Sequence, residues 1–550
     1  MFIDLLDIGV AIERRTEICI IGAGAAGITL ARRLLAAGHE VVLLESGGTD
    51  YEAGIADLNH GANVGMDYYP LADARLRFFG GTTAIWGGRC AELDPIDLER
   101  RPWVPDSGWP IGWQELSAYY DQARPLFDLP EWRPHMEDLA QNGLAVPAFD
   151  ETRIRTPFWS FDARFNRFTF DSCADLRDHP RCTIITHATV TGIEATDNGR
   201  AVREVTARSF GAGRLTISAD AVVLASGGME NARLLLASRS VMPNGLGNDH
   251  DNVGRYFMEH PHARGGRIVS GAAWQLLKLF GRRHRVEGRD VAALIAPSVE
   301  EQQRRRILNT SLTIVGRQPE DARQFLGMKV YGGLKHGVPP TRLGRMMWMG
   351  TKKLAAFAQR HIDPLRPWLL HRMGRLDVTL LVRAEQAPNR DSRIVLDRES
   401  DAMGMPRIRL DWRMSDLDKH SVAELATLLG EELGRLGLGR VEPASWLSRT
   451  DELWRTDPLV SSHPIGGYHH IGTTRMADDP RKGVTTRHGQ VHGIDNLYVV
   501  GSSTFPTSGW ANPTLTIVAL ALRTADHLSA SLWKRRLMAE RPHIRMAVGQ

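Results

Sequence analysis

Two stretches of the 550-residue chain hold residue types that chemistry uses. Tyr468-His469-His470-Ile471-Gly472-Thr473 sets two imidazoles side by side. When a carbinol carbon gives up a hydride, its hydroxyl must also lose a proton, and an imidazole titrating near neutrality is suited to accept it. Further along, Asn512-Pro513 offers an amide that can hydrogen-bond an oxygen taking on alkoxide character. Both stretches also have ordinary readings, as structural histidines and as an Asn-Pro turn. The residues alone leave these alternatives open.

A third stretch is suited to a cofactor. Glu17–Ile21 is a short β-branched apolar run, followed by Gly22-Ala23-Gly24-Ala25-Ala26-Gly27 and then by apolar residues at helical spacing up to Gly38. Gly22 permits the tight turn, Gly24 lets backbone approach a pyrophosphate, and Gly27 lets helix and strand pack closely. Around Ala25 and Ala26 the helix N-terminus offers free N–H groups to phosphate. The next apolar run, Val41–Leu44, ends at Glu45, whose carboxylate can accept from ribose hydroxyls and would repel a 2′-phosphate. This strand–turn–helix–strand unit predicts dinucleotide binding but does not separate FAD from NAD.

These residues need a sheet to hold them. Ala219–Ala225 reads as another buried strand, closed by Ser226-Gly227-Gly228 and followed by a helix over Glu230–Ala237. Asn496–Gly501 is a further strand, and Leu515–Leu528 a long apolar helix. Sheet segments thus lie at the start, middle and end, so one domain is assembled from separated segments and the intervening chain forms a second.

Several of these segments together resemble the glucose–methanol–choline oxidoreductases. Phe79-Gly80-Gly81-Thr82-Thr83-Ala84-Ile85-Trp86-Gly87-Gly88 is similar to their second flavin-contacting loop, and Ala219–Leu235 to their central strand–turn–helix. His470–Met476 and Asn512–Thr516 resemble their two C-terminal active-site segments. The motifs run in family order from residue 17 to about 530, nearly the whole chain. The resemblance implies an α/β fold: a Rossmann-like FAD-binding domain from 14–100, 180–265 and 490–535, and an α+β substrate domain with an antiparallel sheet from 101–179 and 266–489. In the family pattern the base stands three residues before the Gly of Gly-Thr, which selects His469 and makes Asn512 its partner. Expected cofactor contacts are Gly22, Gly24, Ala25, Ala26, Gly27, Glu45, Gly81, Thr82, Trp86, Val190, Ala225, Ser226, Gly501, Ser502, Pro513 and Thr514. The implied reaction is oxidation of a CH–OH group to a carbonyl, with His469 taking the proton, flavin N5 the hydride, and oxygen, a quinone or another acceptor reoxidising the flavin.

Two departures refine this. Ile85-Trp86-Gly87-Gly88 replaces the Ile-Asn-Gly of many members and looks like the bacterial sugar- and glycoside-oxidising branch, which makes a sugar, glycoside or other alcohol the expected substrate. Members of that branch that tether FAD carry His immediately before the Trp; Ile85 has no nucleophilic nitrogen, so FAD is expected to be non-covalent. An FAD-containing lyase on the same fold and a non-enzymatic flavin- or membrane-binding protein are the rival readings.

Composition fits a globular enzyme. Hydrophobic residues make 43% and charged residues 24%, and a net charge of +4 gives no sign of a nucleic-acid-binding face. Cys19, Cys90, Cys173 and Cys182 form no Cys-x-x-Cys pair, so zinc and dithiol chemistry are not expected, and free thiols suit a reducing, cytoplasmic compartment. Arg14-Arg15 runs straight into the glycine motif without an apolar signal segment. One segment stands apart. Over about 328–375, Lys329, Lys335, Arg342, Arg345, Lys352, Lys353, Arg360, Arg366, Arg372 and Arg375 are opposed by Asp363 alone and interleaved with Met346, Met347, Trp348, Met349, Leu354, Phe357 and Trp368. Such a basic amphipathic insert suits the protein body, a partner subunit or a peripheral membrane contact.

Overall fold

A computed structural model describes residues 1–162, 164, 166–269, 272–320, 339–361, 366–455 and 468–539. Its largest sheet runs in the order Phe2–Asp4, Cys182–Thr186, Val41–Leu44, Ala11–Ile21, Arg214–Leu224. These five strands are mutually parallel, and Leu497–Val499 pairs parallel to the far end of Arg214–Leu224. The near end of that strand turns into an antiparallel meander with Val202–Arg208 and Thr189–Ala195. Val41–Leu44 is buried along its length, as a strand covered on both faces must be. The helix Ala25–Ala36 crosses between the first two motif strands and shares an apolar core with the C-terminal helix Thr514–Ala539. Arg33 and Asp526, 2.6 Å apart, tie the two helices at their rim.

A second, antiparallel sheet has the order Ser311–Arg317, Asp377–Arg383, His262–Val269, Arg440–Pro443. The helix Asp416–Arg435 starts at a capping box formed by Ser415 and Asp418 and sends Leu425, Leu428 and Leu429 into one core with Ile314, Leu380 and Val382. Two smaller sheets bridge distant sequence. One joins His284–Val286, Arg289–Ala293, Phe158–Phe161 and Arg89–Cys90; the other joins Arg393–Ser400, Pro406–Asp411 and Gly61–Asn63.

The observed pairings shift the expected boundaries. Phe2–Asp4 already belongs to the parallel sheet, ahead of residue 14. His262–Val269 belongs to the antiparallel sheet, so the 180–265 segment gives way before 265. Arg89–Cys90 and Gly61–Asn63, inside 14–100, pair with strands from the remainder of the chain. Within the basic segment, Arg342–His361 and Arg366–Arg372 are helical, while Lys329 and Lys335 lie outside the described residues. Asp50 accepts from the Arg342 backbone and pairs with Arg345 at 2.6 Å, fastening the first helix beside the parallel sheet. Among the described residues no helix is long and apolar enough to cross a membrane.

Candidate active site

At the carboxyl ends of the parallel strands lies an open cleft. Its walls include Gly22, Gly24, Ala25, Ala26, Glu45, Gly81, Thr82, Val190, Ala225, Ser226, Gly501 and Ser502. Gly27 instead sits beneath it, where an added Cβ would lie 2.0 Å from the Gly22 carbonyl oxygen. A Cβ on Gly24 would meet nothing within 4 Å, so backbone there opens freely to the cleft. Trp86, Pro513 and Thr514 are not among the lining residues; Trp86 packs on Phe127 and Thr514 begins the C-terminal helix. Glu45 has a local partner set: its oxygens accept from the Ala23 N–H at 3.0 Å and the Gly47 N–H at 3.1 Å, and burial raises its pKa. A carboxylate has further lone pairs, so Glu45 both braces the glycine turn and keeps an acceptor on the cleft wall.

The cleft also holds polar groups that the spacing did not single out. Glu230 pairs with Arg75 at 3.0 Å and Arg77 at 2.6 Å, and the surrounding arginines hold its pKa well below the ordinary range. The Glu230 position lies inside the recognisable Ala219–Leu235 motif, but its partners come from residues 75 and 77, which carry no local signal.

Next to the cleft, His469 and Asn512 meet. Tyr468 adopts a left-handed backbone, φ 67°, just before His469, and the strand-like bridge between Met258 and Ile471 fixes the backbone just after. Both Glu259 carboxylate oxygens accept from the His469 backbone N–H at 3.0 Å, and the Tyr68 hydroxyl donates to the same carboxylate. Gly472 is required here: with φ 88°, a Cβ would stand 2.2 Å from the Tyr256 carbonyl oxygen.

The ring protons follow from the partners. Among the described residues His260 Nε2 faces only carbonyl oxygens, Gly509 at 2.8 Å and Ser508 at 3.3 Å, so it carries a hydrogen. His260 Nδ1 then accepts, and its neighbour at 2.9 Å, His469 Nδ1, donates. That leaves His469 Nε2 without a proton, with the Asn512 Nδ2 amide donating to it at 3.2 Å. Burial, His260 and Arg383 hold the His469 pKa well below 6.5, and burial pushes His260 down to about 4. The site therefore presents a neutral imidazole with a bare nitrogen beside an amide donor.

His470 points elsewhere. It lines the cleft, its Nε2 is buried without a hydrogen-bond partner among the described residues, and burial pushes its pKa down to about 3. An open glycine turn, an uncapped helix N-terminus and this orphan nitrogen together fit a large polar ligand such as FAD. All four cysteines are buried and free, and no group of three or more His, Cys, Asp or Glu is placed to hold a metal among the described residues.

Comparison with known proteins agrees with this geometry. Residues 17–245 match the FAD dependent oxidoreductase family and residues 388–521 the GMC oxidoreductase family. The chain thus carries a C-terminal GMC oxidoreductase domain and, ahead of it, an FAD dependent oxidoreductase domain. The chain is 24% identical to 2-methyl-1,2-propanediol dehydrogenase of Mycolicibacterium austroafricanum, over 94% of this chain and 95% of that one. It is also 24% identical to paromamine 6'-oxidase of Streptomyces fradiae, over 95% and 93%. A solved Aspergillus oryzae formate oxidase aligns with TM-score 0.56 at 16% identity, covering 94% of this chain and 99% of that one, a likeness of fold. The protein is an FAD-dependent oxidoreductase.

Proposed function

We propose that this enzyme oxidises the CH–OH group of a sugar, glycoside or other alcohol to a carbonyl, with His469 Nε2 as the proton acceptor. The observation that carries the reading is the hydrogen-bond chain from the Gly509 carbonyl through His260 to His469, which leaves Nε2 bare and aimed beside Asn512. The cleft residues would hold FAD, with phosphate at the Gly24–Ala26 N-terminus and ribose at Glu45. Bound FAD supplies the two-electron acceptor for the hydride that the carbinol carbon gives up. His469 takes the hydroxyl proton as the carbonyl forms, and Asn512 donates to the oxygen as its charge grows. His260 keeps the imidazole in the accepting tautomer, acting as a positioning residue. The substrate class draws on the activities of the propanediol dehydrogenase and the paromamine oxidase.

FAD is held without a covalent bond in this proposal, because Ile85 at the end of the Gly81–Ile85 turn offers no nucleophile. Acid precipitation should therefore release free FAD. An anaerobic panel of sugars, glycosides, polyols and aryl alcohols should bleach the flavin absorbance, and admission of oxygen or a quinone should restore it. Turnover of an alcohol without any bleaching would favour lyase chemistry instead, and flavin remaining with the precipitated chain would refute the non-covalent attachment.

A second proposal concerns the helix Arg342–His361. Leu343, Met346, Met347, Leu354 and Phe357 recur at helical spacing and are all exposed, between 60% and 73%. In a segment this basic, an apolar stripe suits the surface of an anionic bilayer. Contact there would bring the enzyme to a membrane quinone as electron acceptor.

A further inference from the structure

Two sheets converge beside His469 and bring together arginines that have no carboxylate partner among the described residues. Arg89 lies on the short strand that follows the flavin loop, paired with the strand Phe158–Phe161. Its guanidinium folds back over that loop, with one terminal nitrogen 2.8 Å from where a Cβ on Gly87 would be. Arg383 ends the strand Asp377–Arg383 of the antiparallel sheet and stands opposite His262 in register. Both guanidiniums rest against one indole, Trp159, at 5.0 and 4.9 Å from its centroid. Arg383 donates to His262 Nε2 at 2.8 Å, so His262 Nδ1 carries the hydrogen.

Four buried nitrogens in this cluster have no hydrogen-bond partner among the described residues: Arg89 Nε, Arg383 Nε, Trp159 Nε1 and His262 Nδ1. All four are donors. Neither arginine has a carboxylate partner among the described residues, although Arg167 and Arg155, near by in sequence to Trp159, are each paired with aspartate. Further positive charge surrounds the group, Arg283 toward Arg89 and Arg317 toward Arg383. A buried charge without a partner is expensive, and so is a buried donor without an acceptor. Both arginines still keep some accessible surface. Their charge reaches His469, whose proton affinity both of them depress.

We infer that Arg89 and Arg383 form the anion clamp of the substrate chamber, so that the alcohol oxidised at His469 carries a compact oxyanion, a carboxylate or a phosphate. Trp159 Nε1–H and His262 Nδ1–H complete the donor set. The guanidinium fork matches either oxyanion, and the apolar indole between the two forks fixes their spacing. Binding of the anion also relieves the positive field at His469, so the correct substrate strengthens its own base. A neutral sugar of the same shape would leave the four donors unpaired, and a site built in that way discriminates strongly.

The inference rests on the proposed alcohol oxidation, and the test separates the two. Purified holoenzyme is reduced anaerobically with gluconate, glucose 6-phosphate and glucose, and the second-order rate constant of flavin reduction is compared among them. Independently, a non-oxidisable carboxylate and inorganic phosphate are titrated against the flavin spectrum. The expected result is an anion-over-glucose ratio of roughly 30-fold or more, which falls by a similar factor in Arg89→Gln and Arg383→Gln and partly returns in Arg383→Lys. Gluconate or glucose 6-phosphate leading the series tells which oxyanion the clamp receives. The inert anion should shift the spectrum saturably in the wild type and not in the Gln variants, even if none of the three sugars is a substrate. Reduction by glucose as fast as by both anions, with a ratio unmoved in the variants, would overturn the clamp while leaving alcohol oxidation intact. No spectral shift with either inert anion would also overturn it.

Discussion

His469 and His470 are adjacent in sequence and do different work in space. The first faces Asn512 and the second the cofactor cleft, a separation that follows from the left-handed turn at Tyr468 and the backbone clamp at Ile471. Spacing to Gly472, set against the family pattern, is what singles out His469 as the proposed base. The partners of His469 were not legible, because His260 and Glu259 lie 209 and 210 residues away and nothing near them in sequence marks them. The same holds for Arg89 and Arg383, whose meaning depends on sheet pairings. The electrostatics carry a pH prediction. His469 is held neutral well below pH 6.5 by burial and by His260 and Arg383. Glu259, pushed up to about 7 by burial, loses its charge as pH falls, which further disfavours the imidazolium. Protonation therefore does not remove the base in the mildly acidic range, and the limiting rate of flavin reduction should stay flat from about pH 8 down to about pH 6. A loss of rate following a single ionisation near 6.5 would show His469 titrating as an ordinary histidine.

At the scale of elements, the glycine-rich turn was the most legible feature. Its strand, helix and second strand appear where the pattern of apolar residues placed them, with the first strand extended back to Ala11 and the C-terminal helix forward to Ala539. Extension has a simple cause: Glu13, Arg14 and Arg15 do not read as a buried strand, yet they pair in register with Thr216, Ile217 and Ser218 of a neighbouring strand. Tertiary pairing overrides the local pattern there. The basic segment was visible as composition alone, and its helix shows which apolar residues stay exposed. If Leu343, Met346, Met347 and Leu354 enter a bilayer, the intact enzyme should co-sediment with anionic vesicles at low salt and less so at high salt, since each basic residue near the surface contributes about 1 kcal/mol and is screened. Leu343→Ser with Met347→Ser should weaken that binding at every salt concentration. Absence of sedimentation with anionic vesicles at low salt would leave the stripe to a protein partner.

The whole molecule separates two tasks. The parallel sheet, whose strands come from the start, middle and end of the chain, gathers the glycine turn, Glu45 and Ser226 around one cleft. The antiparallel sheet brings His262 and Arg383 against it, and the loop before the C-terminal helix delivers Asn512. Sheet-type runs at the start, middle and end of the chain suggested the discontinuous parallel sheet; where it meets the antiparallel sheet was not legible, because His260 and His262 stand where one sheet gives way to the other. The central claim is that His469 Nε2 removes the hydroxyl proton. Anaerobic stopped-flow reduction of FAD-loaded His469→Ala and His470→Ala by the best alcohol of the panel tests it most directly. The account predicts a fall of about 10² to 10⁴ for His469→Ala with FAD retained, and a much smaller effect for His470→Ala. Reduction by His469→Ala within about tenfold of the wild type, or a larger loss in His470→Ala, would contradict it.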